Sequence, residues 1–117
     1  MIPADETFDG TWPYKPHFFE GNGFSMHYVD ENSTGDETFL CVHGEPTWGY
    51  LYRNFIPRLA RHGRVIVPDH MGFGKSETPQ DRRYTIEEHC QNLERLVLKL
   101  DLRKITLVMQ EWGRPNL

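Results

Sequence analysis

Cysteine is nearly missing. Cys41 and Cys90 are the only two in 117 residues, and they form no CxxC pair. That excludes a disulfide framework and a thiolate zinc site, and leaves two free thiols. Long apolar runs are missing as well. No stretch approaches the roughly 20 residues that span a bilayer, and Met1-Ile-Pro-Ala-Asp-Glu6 has no apolar core of a signal peptide. The expected setting is cytoplasmic, with no membrane partner. Positive charge is short: 13 Lys and Arg stand against 17 Asp and Glu, for a net charge of -4. A nucleic-acid partner is excluded on that ground, because phosphate neutralisation needs clustered cations. Like charges form no long run either, so no charged interaction tail is expected.

The apolar content that remains is enough for a packed core, with 38% hydrophobic and 13% aromatic residues. It is distributed in short blocks. Residues 1–16 carry Phe8, Trp12 and Tyr14 among Gly10, Pro13 and Pro16, which reads as an irregular arm laid over the core. Short apolar blocks at 17–20 and 24–29 flank Gly21-Asn22-Gly23, a β-hairpin signature. Thr38–Val42, Arg64–Pro68 and Ile105–Gln110 read as buried strands. Between the first two, Leu51, Phe55, Leu59 and Ala60 recur at helical spacing, with Pro57 forcing a break or a fresh start. Between the last two, Thr85-Ile-Glu-Glu88 is a capping box opening an apolar stripe through Ile86, Cys90, Leu93, Leu96, Val97 and Leu100. Strand, helix, strand, helix, strand implies an α/β fold with a mostly parallel sheet, the hairpin adding antiparallel strands at one edge. The whole of 1–117 reads as a single partial core domain. The last strand lacks a covering helix, so poor solubility is expected unless a partner supplies one.

Two segments follow strand ends, where open α/β sheets bind ligands. The first is His43-Gly44-Glu45-Pro46-Thr47-Trp48. A backbone N–H in such a turn can hold developing negative charge; the alternative is an ordinary strand-to-helix turn. The second is Asp69-His70-Met71-Gly72-Phe73-Gly74-Lys75-Ser76. Its Gly-Lys-Ser ending imitates a phosphate loop, but Asp69 stands where the first glycine is required, and Glu77 spoils a dinucleotide motif. Asp69 then reads as an internal hydrogen-bond acceptor for that loop. Asn32-Ser33-Thr34 matches a glycosylation sequon and is read as chance.

Taken together, His43-Gly-Glu-Pro-Thr-Trp48, Pro68-Asp-His-Met-Gly-Phe-Gly-Lys-Ser76 and Leu107-Val-Met-Gln-Glu-Trp-Gly113 resemble the haloalkane dehalogenases of the α/β-hydrolase superfamily, in order and spacing, from about Phe18 to Gly113. The resemblance implies an α/β-hydrolase fold that is incomplete here, ending at the nucleophile elbow with the cap domain absent. It implies no cofactor or metal and a halogenated alkane as small-molecule substrate. It places Glu111 at the nucleophile position, where the family has aspartate, so that the carboxylate displaces halide and forms an alkyl-enzyme ester. It gives Trp112 two roles: its backbone N–H and that of Glu45 form the oxyanion hole, and its indole N–H holds the leaving halide. The added methylene of Glu111 and the bulk of Arg114 depart from the family pattern. The family's catalytic histidine and supporting acid lie beyond the elbow, so this chain alone is expected to lack turnover. His43 and His70 are read as structural, and Trp48 as a packing residue. Epoxide hydrolysis is the rival enzymatic reading, and a non-catalytic or partner-binding fragment the other. For Glu111 itself, a surface carboxylate at a strand end stands beside the nucleophile.

Overall fold

The computed structural model describes residues 2–44 and 47–109. Five strands form one mixed sheet: β1 (His17–Phe19), β2 (Met26–Glu31), β3 (Thr38–Val42), β4 (Arg64–Pro68) and β5 (Ile105–Met109), in the spatial order β1-β2-β4-β3-β5. β1, β2 and β4 pair antiparallel; β4, β3 and β5 run parallel. The expected strands, hairpin and parallel core are therefore present.

Strand alternation divides the core in two. Val65 and Val67 of β4 point to one face and join Trp12, Val29, Cys41, Tyr52 and Ile56. Ile66 points to the other and joins Phe24, Met26, Leu40, Val42 and Leu96. The connection from β3 to β4 carries a 3-10 turn (Gly49–Tyr52) and the short helix α1 (Ile56–Leu59), which pack on the first face. The connection from β4 to β5 carries α2 (Ile86–Leu100), whose Leu93, Leu96 and Val97 pack on the second. The two connections move in opposite directions along the sheet and lie on opposite faces, as right-handed crossovers require.

The α2 start behaves as its sequence demands. Thr85 is extended, and its hydroxyl oxygen accepts from the Glu88 N–H at 3.1 Å. Half of the expected capping box is thus formed. Glu88 itself faces Arg82 at 3.9 Å. Thr85→Ala is expected to cost about 1 kcal/mol in urea unfolding. Thr85→Ser, which keeps the acceptor, should unfold like the parent.

The region after β3 corrects the expected helical phase. Leu51 and Phe55 are 39% and 51% exposed, whereas Tyr52 and Ile56 are buried. A 3-10 turn advances by three residues and an α-helix by 3.6, so a single stripe cannot be drawn across their junction. Pro57 sits in the first turn of α1, where its missing N–H costs nothing.

Residues 2–16 contain no helix or strand. Trp12 is fully buried on the first face, with Tyr14 edge-on to it at 4.9 Å and Trp48 at 5.2 Å between ring centroids. Lys75 ties the same segment down: its Nζ donates to the carbonyls of Ala4 and Glu6 at 2.8 and 2.7 Å. Asn32 of the sequon is engaged likewise, donating to Ala60 and Gly63 carbonyls from a left-handed backbone with φ 57°.

Candidate active site

The parallel pairing of β3 with β5 sets Val42 beside Met109. Each strand therefore ends at the same rim, and each runs straight into one of the motifs singled out above. β3 exits toward the face of α1. A right-handed crossover leaving β5 away from β3 exits toward the face of α2. The rim between them is thus the place where neighbouring connections diverge, the usual crevice for a ligand in such sheets. Glu45, Glu111 and Trp112 lie outside the described residues; the structure describes the frame that leads to them.

That frame is held from three directions. The first is a reciprocal clasp between the loops after β3 and β4. His43 Nε2 accepts from the His70 backbone N–H at 2.9 Å, while His70 Nε2–H donates to the His43 carbonyl at 3.0 Å. An accepting Nε2 leaves His43 protonated at Nδ1, which donates to the Gly44 carbonyl at 2.8 Å. The same carbonyl accepts from the Thr47 hydroxyl at 2.7 Å and the Thr47 N–H at 3.1 Å. Gly44 and Thr47, the residues flanking positions 45 and 46, are thereby pinned together.

The second is Asp69, fully buried below the loops. Its Oδ1 accepts from the Gly49 N–H at 2.7 Å, and its Oδ2 from the Lys75 N–H at 3.0 Å and His27 Nδ1 at 2.9 Å. This explains why the Gly-Lys-Ser stretch is no phosphate site. The amide of Lys75 is turned inward to a resident carboxylate, and its side chain is spent on the N-terminal segment. Gly74 is required for that turn: its φ is +55°, and a Cβ would stand 2.5 Å from Asp69 Oδ2. Burial lowers the Lys75 pKa against the pull of Asp69, Asp5 and Glu6. The sequence reading of Asp69 as an internal acceptor for its loop fits this geometry.

The third is Tyr52, whose hydroxyl donates to the Val42 carbonyl at 2.6 Å, with the Val108 carbonyl at 3.4 Å. One side chain so touches the ends of both strands that frame the rim. Tyr50-Leu51-Tyr52-Arg53 follows the first motif in sequence without marking this role for Tyr52; the i, i+4 pair Tyr52–Ile56 is the signal that points to it.

Histidine chemistry at the rim is restricted by burial. His43, His70 and His89 form a cluster of tilted rings with centroids 4.4 and 4.8 Å apart. Burial, then the neighbouring His43 and His89 rings, hold the His70 pKa down at about 3 against the His43 backbone hydrogen bond. At neutral pH this ring is uncharged, and its Nε2–H is committed to the His43 carbonyl. His43 and His70 are thus embedded in the scaffold, in keeping with their structural reading. Cys41 is buried in β3 with its thiol pushed up to about 12 by desolvation, which removes it as a nucleophile. Trp48 stacks on Tyr50 at 5.4 Å and packs against Trp12, as a packing residue does. Among the described residues no group of three His, Cys, Asp or Glu is placed to hold a metal ion. No helix among them is long and apolar enough to cross a membrane.

Strand order, crossover faces and the divergence at the β3–β5 rim are those of one class of protein, and comparison agrees. The family described as the alpha/beta hydrolase fold matches residues 37–113, and the chain belongs to it. Within that family, a haloalkane dehalogenase of Psychrobacter cryohalolentis is 41% identical over 107 residues, covering 86% of this chain and 35% of that protein. Haloalkane dehalogenase 2 of Mycobacterium bovis is 39% identical over 104 residues, covering 89% and 36%. A cis-3-alkyl-4-alkyloxetan-2-one decarboxylase of Shewanella oneidensis is 39% identical over 108 residues, covering 90% and 33%. Among solved structures, the tetrameric haloalkane dehalogenase of Paraglaciecola agarilytica superposes with a TM-score of 0.80 at 42% identity, over 86% of this chain and 36% of that one. The chain spans about a third of the length of the curated relatives it matches, so it presents that fold in part.

Proposed function

We propose that this chain carries the nucleophile-bearing front part of a haloalkane dehalogenase-type hydrolase. Glu111 is the nucleophile: a carboxylate oxygen attacks the halogen-bearing carbon, the carbon–halogen bond breaks, halide leaves and an ester forms. The Trp112 indole N–H stabilises the departing halide, and the backbone N–H groups of Trp112 and Glu45 receive the oxyanion when water later cleaves the ester. One observation carries the reading. Val42 and Met109, which lead into the two motifs, are register partners at one rim.

Ester hydrolysis needs a general base at that rim. His27, His43, His70 and His89 are fully enclosed. His62 precedes β4, at the opposite end of the strands, and His17 lies on β1, the strand farthest from β5. The 117-residue chain by itself is therefore expected to show no multiple turnover. Incubation with 1,2-dibromoethane should give at most one halide per chain, with any adduct located by mass spectrometry on Glu111 and lost in Glu111→Gln. Steady halide release, or an adduct that survives the substitution, would count against this reading. Identity of 39% to the oxetanone decarboxylase supports a second reading at the same rim, and the Trp after the nucleophile position leaves epoxide opening as a third. Carbon dioxide from an alkyl-substituted oxetan-2-one, or diol from styrene oxide, would favour these over halide release. A chain inert toward all three, with Glu111 never modified, points instead to a non-catalytic product.

A further inference from the structure

The segment 2–16 crosses both the loop after β4 and the loop after β3. At one end the Ile2 N–H donates to the Gly74 carbonyl at 3.3 Å, and Lys75 Nζ holds the carbonyls of Ala4 and Glu6. Residues 2–6 are thus tied to the loop after β4. The other end meets the loop after β3. Trp12 packs on Trp48 and Tyr50 with ring centroids 5.2 and 5.9 Å apart, and Phe8 packs on the same two rings at 5.7 and 5.3 Å. The Thr11 hydroxyl donates to the Phe8 carbonyl, which leaves Thr11 Oγ1 to accept from the Tyr50 hydroxyl at 2.7 Å. Trp48 is where these contacts reach the site. A Cβ on Gly74 would stand 2.7 Å from Trp48 Cε3, so the loop after β4 closes on the indole while Trp12 closes on it from the N-terminal segment. The tip of the Trp12 ring, Cη2, comes within 3.5 Å of the place a Cβ would take on Gly49.

Trp12 is a costly residue for filling alone. It is fully buried, and among the described residues its indole N–H has no acceptor. A phenyl ring would fill a core without stranding a donor. What the indole adds is reach, out to Trp48 and Gly49. We propose that Trp12 is a positioning residue of the active site: through Trp48 and Gly49 it sets the turn from Gly44 to Gly49, which presents the Glu45 N–H. The 2–16 segment is then a tie across two loops rather than a loose cover. The proposal rests on the oxyanion role given to Glu45 above. Attack on the substrate uses Glu111 and the Trp112 indole, and Glu45 enters only when the ester is cleaved. Shortening Trp12 therefore spares the first step and slows the second.

Two measurements on the 117-residue chain test this. The first is amide hydrogen exchange. The Thr47 and Gly49 N–H groups are bound to the Gly44 carbonyl and Asp69 Oδ1. In Trp12→Phe both should exchange about tenfold faster than in the parent. Thr11→Val, a milder change at an exposed residue, should speed them about threefold by freeing the Tyr50 hydroxyl. Leu96→Val weakens the core on the opposite face and should not single these amides out. The second measurement uses 1,2-dibromoethane, with imidazole added as an external base. In Trp12→Phe the ester on Glu111 should form at the parent rate, and its cleavage should slow about tenfold. Exchange of Thr47 and Gly49 at the parent rate in Trp12→Phe, or quickened no more than in Leu96→Val, overturns the proposal. If Trp12→Phe does not fold, parent-rate exchange in Thr11→Val overturns it instead. So does an ester cleaved at the parent rate in Trp12→Phe. A chain that never forms the ester refutes the halide chemistry and leaves exchange to decide whether Trp12 holds the turn.

Discussion

Asp69→Ala is expected to cost on the order of 5 kcal/mol, enough to leave the chain largely unfolded at 25 °C. The carboxylate satisfies two backbone N–H groups, of Gly49 and Lys75, and the Nδ1 of His27, all within 3.0 Å and out of contact with water. Removing it strands each of them. A buried group left without its partner costs about 1–3 kcal/mol, and more than one group is stranded at once. Relaxation recovers part of the sum, and a domain holds only about 5–15 kcal/mol in all. Asp69→Asn should fall between the parent and the alanine variant. Its amide oxygen can face one side of the site, but its NH2 then confronts a donor on the other. The contrast is Asp36, whose pair with Lys104 is formed at 2.7 Å but in the open. Asp36→Ala should unfold like the parent, because exposed pairs contribute little. Urea unfolding of the four proteins by far-ultraviolet circular dichroism checks the order. An Asp69→Ala chain as stable as the Asp36→Ala chain would show that the loops after β3 and β4 hold themselves without the carboxylate.

Much of this scaffold could be read from the sequence, and the failures have two causes, a change of helix type and pairing between distant residues. Strands such as Thr38–Val42 and Arg64–Pro68 are legible because their side chains alternate between two buried faces and polar turns bound them. α2 is legible because Thr85 and the Ile86–Leu100 stripe state both its start and its period. The segment after Trp48 is not, because its helix type changes partway and shifts Tyr52 and Ile56 inward in place of Leu51 and Phe55. Asp69 announces itself by replacing a glycine in a near-miss motif. His27 does not, since one histidine in an alternating strand is unremarkable until its partner 42 residues away is brought to it. The His43–His70 clasp is hidden for the same reason: each looks like a loop residue, and only the pairing of β3 with β4 sets the loops face to face. At the site, strand order makes the β3–β5 rim legible as the place for chemistry, but Glu45, Glu111 and Trp112 themselves were nominated by resemblance alone.

Acid should unfold the chain earlier than its carboxylates would. The His43–His70–His89 cluster joins the residue after β3, the loop after β4 and α2. Among the described residues, His70 is faced by His43 and His89, with Phe73 and Tyr84 packed around His89. The folded state holds His70 near 3, against about 6.5 in an unfolded chain. Below pH 6.5 the unfolded chain therefore binds a proton that the folded chain refuses. The stabilising difference is complete above that pH and is lost as pH falls toward 3. The slope is about 1.4 kcal/mol per pH unit for one such ring, and over the whole window the loss is roughly 4–5 kcal/mol. Ordinary carboxylates titrate near 4, so the interval from pH 6.5 to 5 isolates the histidine effect. Urea midpoints in that interval should fall steadily for the parent. In His70→Asn they should start lower, because the clasp to the His43 carbonyl is weakened, yet change much less with pH. The slope, rather than the starting value, is the diagnostic. An unchanged slope in His70→Asn would show that the acid sensitivity does not come from His70.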